Sequence, residues 1–173
     1  MRAFISLKLP PKILFKIKGI QEILPEFTGK KTELKNLHLT LKFLGGISPE
    51  KLEEVKLILE RIKSEKIESE IKEIGFFDNV KYGIIWLGIF NCEGLQKEID
   101  SALESIFKKE KRFMGHLTIA RVKRTDDKRK FLEELKKISV PKMSLIVDKF
   151  YLMESELKKE GSEYRVLEEY KLN

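Results

Sequence analysis

The feature that most constrains the fold is that two kinds of hydrophobic periodicity occur in turn along the chain. Apolar and polar side chains alternate, as in half-buried β-strands, at residues 2–9, 36–44 and 114–123. Apolar side chains recur at helical spacing at about 12–24, 48–64, 94–109 and 126–138. Further strands are predicted at 67–76, 82–90, 142–153 and 163–172, and a polar connection at 29–35. Because strands and helices are mixed with hairpin-like steps, the sequence predicts an α+β fold rather than a doubly wound parallel sheet.

Length and linker composition favour a single domain. The chain has 173 residues, and no Gly/Ser-rich linker divides it, so we predict one domain over residues 1–173. Ser48 followed by Pro49, and Asp126 or Asp127, are typical of helix starts. No long heptad or exposed apolar stripe is present, so we expect a monomer.

The cysteine content and the apolar segments predict a cytoplasmic location. Cys92 is the one cysteine, so an internal disulfide is excluded, and a reducing compartment fits. No apolar stretch approaches the roughly 20 residues that a membrane span needs. Pro10 and Pro11 close the short apolar run at the N-terminus, which is too short for a signal peptide. We therefore expect a cytoplasmic protein without membrane association.

The net charge favours an anionic partner without proving one. Lys and Arg number 35 against 28 Asp and Glu, a formal charge of +7. Such an excess suits nucleic acid. Lys/Glu-rich chains with few glutamines also form surface ion-pair networks in thermophiles, and the charge alone fits both interpretations equally.

The most informative feature is a repeated tetrad. The chain has two histidines, and they lie in His38-Leu39-Thr40-Leu41 and in His116-Leu117-Thr118-Ile119. Both tetrads lie on predicted strands, where residues i and i+2 share a face. Each strand therefore offers one imidazole and one hydroxyl side by side, while the intervening apolar residues and Phe43 point to the opposite face.

Structural and metal-binding interpretations of the tetrads must be weighed first. A lone histidine or threonine on a strand is usually structural. Two nearly identical copies that contain every histidine reverse that weighting. A metal site needs three or more ligands, and the sequence has neither a cysteine cluster nor two histidines at helical spacing. We expect neither a metal nor a cofactor.

Paired imidazoles suit phosphodiester chemistry. A neutral imidazole can remove a proton from water, and an imidazolium can protonate the departing oxygen. Two facing strands can place these groups on opposite sides of phosphorus, and threonine hydroxyls can hold the non-bridging oxygens. A 2′,3′-cyclic phosphate fits because its ring already presents a sugar oxygen as the leaving group.

At these tetrads the chain resembles the 2H phosphoesterase superfamily, which is named for two His-x-Thr-x motifs. It is most similar to the RNA 2′,3′-cyclic phosphodiesterases, historically called 2′-5′ RNA ligases. The resemblance covers nearly the whole chain. It rests on MRAFISL, NLHLTLKFLG, the stretch from Gly75 through Trp86 to Gly88, GHLTIARVK, and the closing segment from Val147 to Met153 with Gly161 and Tyr164.

The resemblance implies a bilobal fold of two antiparallel sheets with pseudo-two-fold symmetry around a central cleft, with helices on the outer faces. It implies that His38 is the proton donor to O3′, that His116 is the proton acceptor that activates water, and that Thr40 and Thr118 hold the phosphate. The product would be a 2′-phosphate. The reverse step would join RNA ends, with tRNA halves as candidate substrates, through a 2′-5′ linkage without ATP.

The orientations of several nearby side chains are expectations to be tested. Arg121 is shared with the family and is a candidate phosphate ligand, but simple alternation points it away from His116, so a twist or bulge would be needed. Alternation places Lys42 on the face of His38 and Thr40. Phe77, beside the Asp78-Asn79 turn, is a better candidate for base stacking than Trp86, for which an apolar run predicts core packing.

Two alternative functions remain open from the sequence. The first is a module that binds RNA or nucleotides without turnover, which the charge and a cleft would serve equally well. The second is a 2H esterase for ADP-ribose 1″,2″-cyclic phosphate or 2′-5′ oligoadenylate, because these reactions need the same four side chains.

Overall fold

The computed structural model describes residues 1–79 and 81–173, and in these residues nine strands and four helices form two sheets with helices packed against them. The strands are β1 Arg2–Lys8, β2 Thr28–Lys31, β3 His38–Gly46, β4 Ile67–Asp78, β5 Gly83–Phe90, β6 His116–Arg124, β7 Met143–Val147, β8 Lys149–Lys158 and β9 Gly161–Lys171. The helices are α1 Pro11–Glu22, α2 Pro49–Leu59, α3 Glu93–Ala102 and α4 Lys128–Lys136. A short 3₁₀ turn covers Leu34–Asn36.

The two sheets are antiparallel and repeat one pairing scheme. The first sheet has the order β3-β1-β8-β9, and the second has β2-β6-β5-β4-β7. In both, the strand that starts with a histidine pairs with the strand that precedes its connecting helix, β3 with β1 and β6 with β5. The next strand in this order is β8 in the first sheet, which pairs with β1, and β4 in the second sheet, which pairs with β5. The predicted α+β fold, with two antiparallel sheets related by a pseudo-two-fold, is therefore confirmed.

The core joins one face of each sheet to the helices. Leu39 and Leu41 on β3, and Leu117 and Ile119 on β6, are at most 2% exposed. The apolar faces of the helices complete this core, as the helical spacing predicts, and Ile17, Val55, Ile99 and Leu135 lie in it. Because the strands alternate, the histidines and threonines between these residues face away from the helices.

The helix starts follow the predicted caps. The Ser48 hydroxyl accepts a hydrogen bond from the Lys51 amide at 3.2 Å, and the Asp127 carboxylate accepts one from the Lys130 amide at 3.1 Å. All four predicted helices extend too far at their C-terminal ends, because α1 ends at Glu22, α2 at Leu59, α3 at Ala102 and α4 at Lys136. The segment after α3 leads instead, as a loop, to the second histidine strand.

Two predictions for strands were wrong. The polar connection predicted at 29–35 contains strand β2, which pairs with β6 at the edge of the second sheet. The single strand predicted at 142–153 is two strands that meet at Asp148: β7 pairs with β4, whereas β8 pairs with β1. This crossing links the sheets, and local alternation carries no signal for it.

Among the helices formed by residues 1–79 and 81–173, none is long and apolar enough to cross a membrane.

Candidate active site

The two tetrads begin equivalent strands that approach one another from the two sheets. His38 and His116 are the first residues of β3 and β6, and these strands are in contact. Both strands show the same succession of buried and exposed positions over nine residues. In each, the histidine and threonine are half-buried, and the intervening leucine is fully buried. The predicted face shared by histidine and threonine is therefore present in both strands.

A β-bulge lies at the fourth residue of each tetrad, Leu41 on β3 and Ile119 on β6. On β3 the partner register passes from Thr40 to Lys42, and on β6 it passes from Thr118 to Ala120. One extra residue in each strand reverses the alternation beyond the bulge. Arg121 is thereby exposed and lines the same cavity as Thr118, where simple alternation would have turned it away. The bulge that the Arg121 expectation required is present.

The same bulge makes the expectation for Lys42 wrong. Lys42 does not share the face of His38, because it is 5% exposed and turned into the protein. Its ammonium forms an ion pair with Asp100 of α3 and donates to the Lys108 carbonyl at 2.9 Å. Phe43, expected in the core, is 75% exposed, since the bulge turns it outward.

The orientation of His38 is set by two hydrogen bonds. Its Nδ1 lies 2.7 Å from the Asn36 carbonyl, and its Nε2 lies 3.1 Å from the Thr40 hydroxyl. A carbonyl can only accept, so Nδ1 carries a proton and donates it to Asn36. In the neutral ring, Nε2 therefore accepts from the Thr40 hydroxyl. The nitrogen left for proton exchange is Nε2, beside the hydroxyl of its own tetrad.

Burial and a neighbouring imidazole control the charge of His38. Its ring packs against Phe4 and edge-on against Tyr164, both with ring centroids at 5.0 Å. Burial lowers the pKa of His38 from its ordinary value of 6.5, the bond to the Asn36 carbonyl opposes this, and His116 lowers it further. The contribution of His116 to this shift is in keeping with the contact between β3 and β6, the two strands that begin with the histidines.

His116 has the same backbone anchor. Its Nδ1 donates to the Met114 carbonyl at 2.8 Å, two residues before it, as Asn36 stands two residues before His38. Its Nε2 has no hydrogen-bond partner within the described residues. Phe77 packs edge-on against the His116 ring, with centroids 5.3 Å apart. Both histidines therefore leave Nε2 as the chemically available nitrogen.

The aromatic residues of β4 and β5 lie beside His116. Trp86 pairs in register with Thr118 and contacts Phe77 at a centroid distance of 5.1 Å. It is half-buried on the face opposite the fully buried Ile85 and Leu87, so the prediction that it packs in the core was wrong. Phe77 thus lies near a tetrad histidine, as a stacking role requires, and that role stays a prediction.

A cavity of about 500 Å³ opens beside the tetrads. His38, Thr118 and Arg121 line it, together with residues from β2, the 3₁₀ turn and the β8–β9 hairpin, whereas Thr40 and His116 do not. Arg121 also lies over the Tyr82 ring, with its guanidinium carbon 5.3 Å from the centroid. The site is therefore asymmetric despite the repeated strands, because His38 faces the cavity and His116 lies outside its lining.

Within residues 1–79 and 81–173 no group of three or more His, Cys, Asp or Glu side chains is arranged to hold a metal ion. The donor set of the site, two imidazoles and two hydroxyls, is suited instead to proton transfer and to hydrogen bonding with an anion.

Sequence reasoning gave no role to several residues that shape the site. Tyr164 and Phe4 hold the His38 ring, and the carbonyls of Asn36 and Met114 orient the two imidazoles. Tyr164 lies some 120 residues from His38 in the chain, so no local pattern could have shown the contact. Each backbone anchor lies two residues before the histidine of its tetrad, and a turn entering each strand is the signal that could have suggested them.

Comparisons with known proteins agree with the family resemblance. The family described as LigT like Phosphoesterase matches residues 7–86 and 91–164. An RNA 2′,3′-cyclic phosphodiesterase of Methanocaldococcus jannaschii is 39% identical over 141 residues, which are 79% of this chain and 80% of that protein. Another, from Methanothermobacter thermautotrophicus, is 31% identical over 184 residues and covers 99% of both chains.

Solved structures share the fold. A Thermus thermophilus protein superposes with a TM-score of 0.83 at 25% identity, covering 99% of this chain and 98% of that one. Escherichia coli LigT complexed with 3′-AMP superposes with a TM-score of 0.80 at 23% identity, covering 99% and 97%. Since the family match spans most of the chain and whole-length relatives exceed 30% identity, this chain belongs to the LigT-like family of 2H phosphoesterases.

Proposed function

We propose that this protein hydrolyses 2′,3′-cyclic phosphate ends of RNA to 2′-phosphomonoesters, with His38 as proton donor and His116 as proton acceptor. The observation that carries the proposal is the repeated anchoring of the two imidazoles. Each donates Nδ1–H to a backbone carbonyl two residues upstream, so each offers Nε2 from a rigid strand. Opening the cyclic phosphate requires one group that takes a proton from the attacking water and another that gives a proton to the leaving oxygen, and two imidazoles can fill these roles.

The asymmetry of the cavity supports the assignment of the two roles. In-line displacement places the attacking water and the leaving oxygen on opposite sides of phosphorus. The leaving O3′ belongs to the nucleoside, which is the bulky part of the substrate and needs the 500 Å³ cavity. His38 lines that cavity, which supports a position beside the nucleoside, whereas His116 does not line it, which supports a position on the side of the attacking water.

The lowered pKa of His38 is compatible with a proton donor that becomes protonated when the substrate binds. Burial lowers its pKa in the free protein, so the neutral ring is favoured near neutral pH. A bound phosphate anion would favour the imidazolium, because an opposite charge within a few ångströms raises a histidine pKa. Proton donation is thus coupled to the presence of the phosphate.

We propose that three further side chains hold the non-bridging oxygens. Thr40 and Thr118 follow the histidines at the same offset and carry the hydroxyls on the same faces. Arg121, turned into the cavity by the bulge, adds a fixed positive charge. Such donors stabilise the negative charge that develops at phosphorus during displacement.

The names of the relatives support the substrate class. Those from Methanocaldococcus, Methanothermobacter and Thermotoga maritima are RNA 2′,3′-cyclic phosphodiesterases. With a 5′-hydroxyl in place of water as the nucleophile, the same groups would take its proton, protonate the leaving O3′ and join the two ends through a 2′-5′ linkage. We extend the proposal to this joining reaction, to tRNA halves as substrates, and to action as a single-domain monomer in the cytoplasm.

The test is incubation in EDTA with a short RNA that ends in a 2′,3′-cyclic phosphate, with the product identified by mass and by phosphatase and alkali mapping. A 2′-phosphate is expected from the native protein and from Lys16→Ala, a control at an exposed position of α1. His38→Ala and His116→Ala should each lower kcat by roughly a hundredfold to ten-thousandfold, the usual contribution of a general acid or base.

Several outcomes would contradict the proposal. A 3′-phosphate product would show that O2′ leaves instead of O3′. Full activity of the His38→Ala/His116→Ala protein would remove the two-histidine mechanism altogether. Binding of the RNA without turnover would favour a binding module, and turnover confined to ADP-ribose 1″,2″-cyclic phosphate or 2′-5′ oligoadenylate would favour a different 2H esterase.

A further inference from the structure

The cavity beside the tetrads extends well beyond the four tetrad side chains. It continues onto the neighbouring strand β2, the 3₁₀ turn and the β8–β9 hairpin. Its volume of about 500 Å³ falls within the range of sites that enclose a drug-sized ligand, so a cyclic phosphate alone would fill only a small part of it. A larger part of the substrate must account for the remainder.

Two hydrogen bonds connect strand β2 and the 3₁₀ turn to the β8–β9 hairpin at this cavity. The Lys30 ammonium on β2 donates to the Glu160 carbonyl in the β8–β9 turn at 2.8 Å. The Asn36 side-chain amide donates to the Ser162 carbonyl at 3.2 Å. Strand β2 of the second sheet and the 3₁₀ turn are thus tied to the hairpin of the first sheet, and all three line the same cavity.

The charge of the lining is strongly asymmetric. Six basic residues line the cavity, against three acidic ones. The acidic side chains do not balance all of the lysines: Glu33 pairs with Lys35 at 3.2 Å, and Glu163 pairs with Lys158 at 2.6 Å. Lys31 and Lys159 have no ion pair or hydrogen bond of their side chains among the described residues, and both are exposed.

We propose that this lysine-lined extension, defined by Lys31 of β2 and Lys159 of the hairpin, binds backbone phosphates on the 5′ side of the terminal nucleotide. The inference rests on the proposed function and names its substrate more closely as an RNA strand of two or more nucleotides rather than a free mononucleotide. It follows from continuity, because Lys31 and Lys159 line the same cavity as His38, which the proposed function puts beside the terminal nucleoside.

The chemistry of the two lysines fits this role. Each phosphodiester of a single strand carries one negative charge, and counterions are released when a lysine neutralises it. The logarithm of the affinity therefore falls with the logarithm of the salt concentration, with a slope of about 0.7 for each neutralised phosphate. Two unpaired ammonium groups would contribute a slope of about 1.4 for a substrate with two upstream phosphates. A mononucleotide has none of these phosphates and should lack that contribution.

The experiment compares kcat/KM for a 2′,3′-cyclic mononucleotide and for a trinucleotide with the same cyclic phosphate end. The native protein should prefer the trinucleotide, with the steeper salt dependence. In Lys31→Gln/Lys159→Gln the ratio of kcat/KM for the trinucleotide to that for the mononucleotide should fall on the order of tenfold, which is near the upper limit of what two solvent-exposed charge contacts contribute. The slope of log kcat/KM against log salt concentration for the trinucleotide should become shallower by about 1.4. Lys12→Gln/Lys16→Gln, with the same charge change on exposed positions of α1, should keep the native preference.

The possible failures are distinguishable. If the mononucleotide is cleaved as efficiently as the trinucleotide, or if the α1 control lowers the preference equally, the extension is not a phosphate subsite, although the proposed hydrolysis stands. If no cyclic phosphate is turned over, the proposed function fails, and fluorescence anisotropy of a labelled trinucleotide with a terminal 2′-phosphate still decides the subsite. Unchanged binding by Lys31→Gln/Lys159→Gln in that assay would overturn it.

Discussion

The buried ion pair between Lys42 and Asp100 permits a prediction that separates stability from positioning. Lys42 and Asp100 are 5% and 6% exposed, and the pair joins the first histidine strand to α3. Lys42 also donates to the Lys108 carbonyl, and the second carboxylate oxygen of Asp100 accepts from the Glu110 amide at 2.9 Å. The pair therefore holds the loop that ends, four residues later, at Met114, whose carbonyl orients His116.

Lys42→Met removes the positive charge and leaves the carboxylate buried with one remaining hydrogen bond. Breaking a buried pair in this way costs about 3–5 kcal/mol of unfolding free energy. For a chain of this length that loss corresponds to a fall in Tm of roughly 6–20 °C. Lys149→Met is the control, because its pair with Glu169 is about a third exposed, and the expected loss is under about 1 kcal/mol.

The decisive variant is Lys42→Met/Asp100→Leu, which removes both buried charges. Replacing a buried pair with apolar residues is often neutral for stability, so most of the lost Tm should return. The loop contacts at Lys108 and Glu110 stay absent, so kcat on cyclic phosphate RNA should remain about tenfold below the native value, as for displaced catalytic groups.

Urea unfolding gives the free energies, and kcat is measured at least 20 °C below each Tm, a margin of about the largest expected shift, so that only folded protein is compared. If the double substitution restores kcat together with stability, the pair has no positioning role. If Lys42→Met costs no more than Lys149→Met, the reasoning about burial is refuted.

Two further predictions concern the environments of the histidines. His38 should titrate below 6.5 in the free protein, because burial lowers its pKa, and its pKa should rise when a 2′-nucleotide is bound. An NMR titration can follow it readily, because the chain has two histidines. Titration of His38 at or above 6.5 without ligand would contradict the burial argument. Since the unfolded chain then binds more protons, this residue's contribution to stability, present above 6.5, should be lost as the pH falls through the lowered pKa. Gly115→Ala should lower the free energy of unfolding in urea by about 1–3 kcal/mol, because a Cβ at this position would lie 2.3 Å from the Ile89 carbonyl oxygen. The control Gly19→Ala, in α1 with open space around it, should raise the free energy of unfolding by up to about 1 kcal/mol. Equal effects of the two substitutions would show that the close approach at Gly115 does not limit the side chain there.

The strands of the fold could be predicted from the sequence where one face is buried. Two-residue alternation found β1, β3 and β6, and the tetrads placed each histidine beside a threonine. The alternation argument failed where the partner strand, rather than the strand itself, decides the register. Both bulges arise from pairing with β1 and β5, far away in the sequence, so the burial of Lys42 and the exposure of Phe43 could not be read locally.

The other errors have the same long-range origin. β2 is polar throughout and forms only because β6 offers it an edge, and Asp148 interrupts a run that would otherwise read as one strand because the chain changes sheets there. Tyr164 reaches His38 through the pairing of β8 with β9 and β1, which no spacing in the sequence encodes.

The repeated strands also explain how a nearly symmetric pair of histidines can act in one direction. β3 and β6 share the same succession of buried and exposed positions, so the two imidazoles alone would accept a phosphate in either orientation. The first exposed residue after the bulge differs, since it is Phe43 on β3 and Arg121 on β6. Arg121 adds charge to the cavity that His38 also lines, whereas Phe43 lies outside that lining. Under the proposed mechanism, the direction of ring opening depends on the side chains around the tetrads, and a variant that exchanges Phe43 and Arg121 is expected to change the ratio of 2′-phosphate to 3′-phosphate product more than the rate.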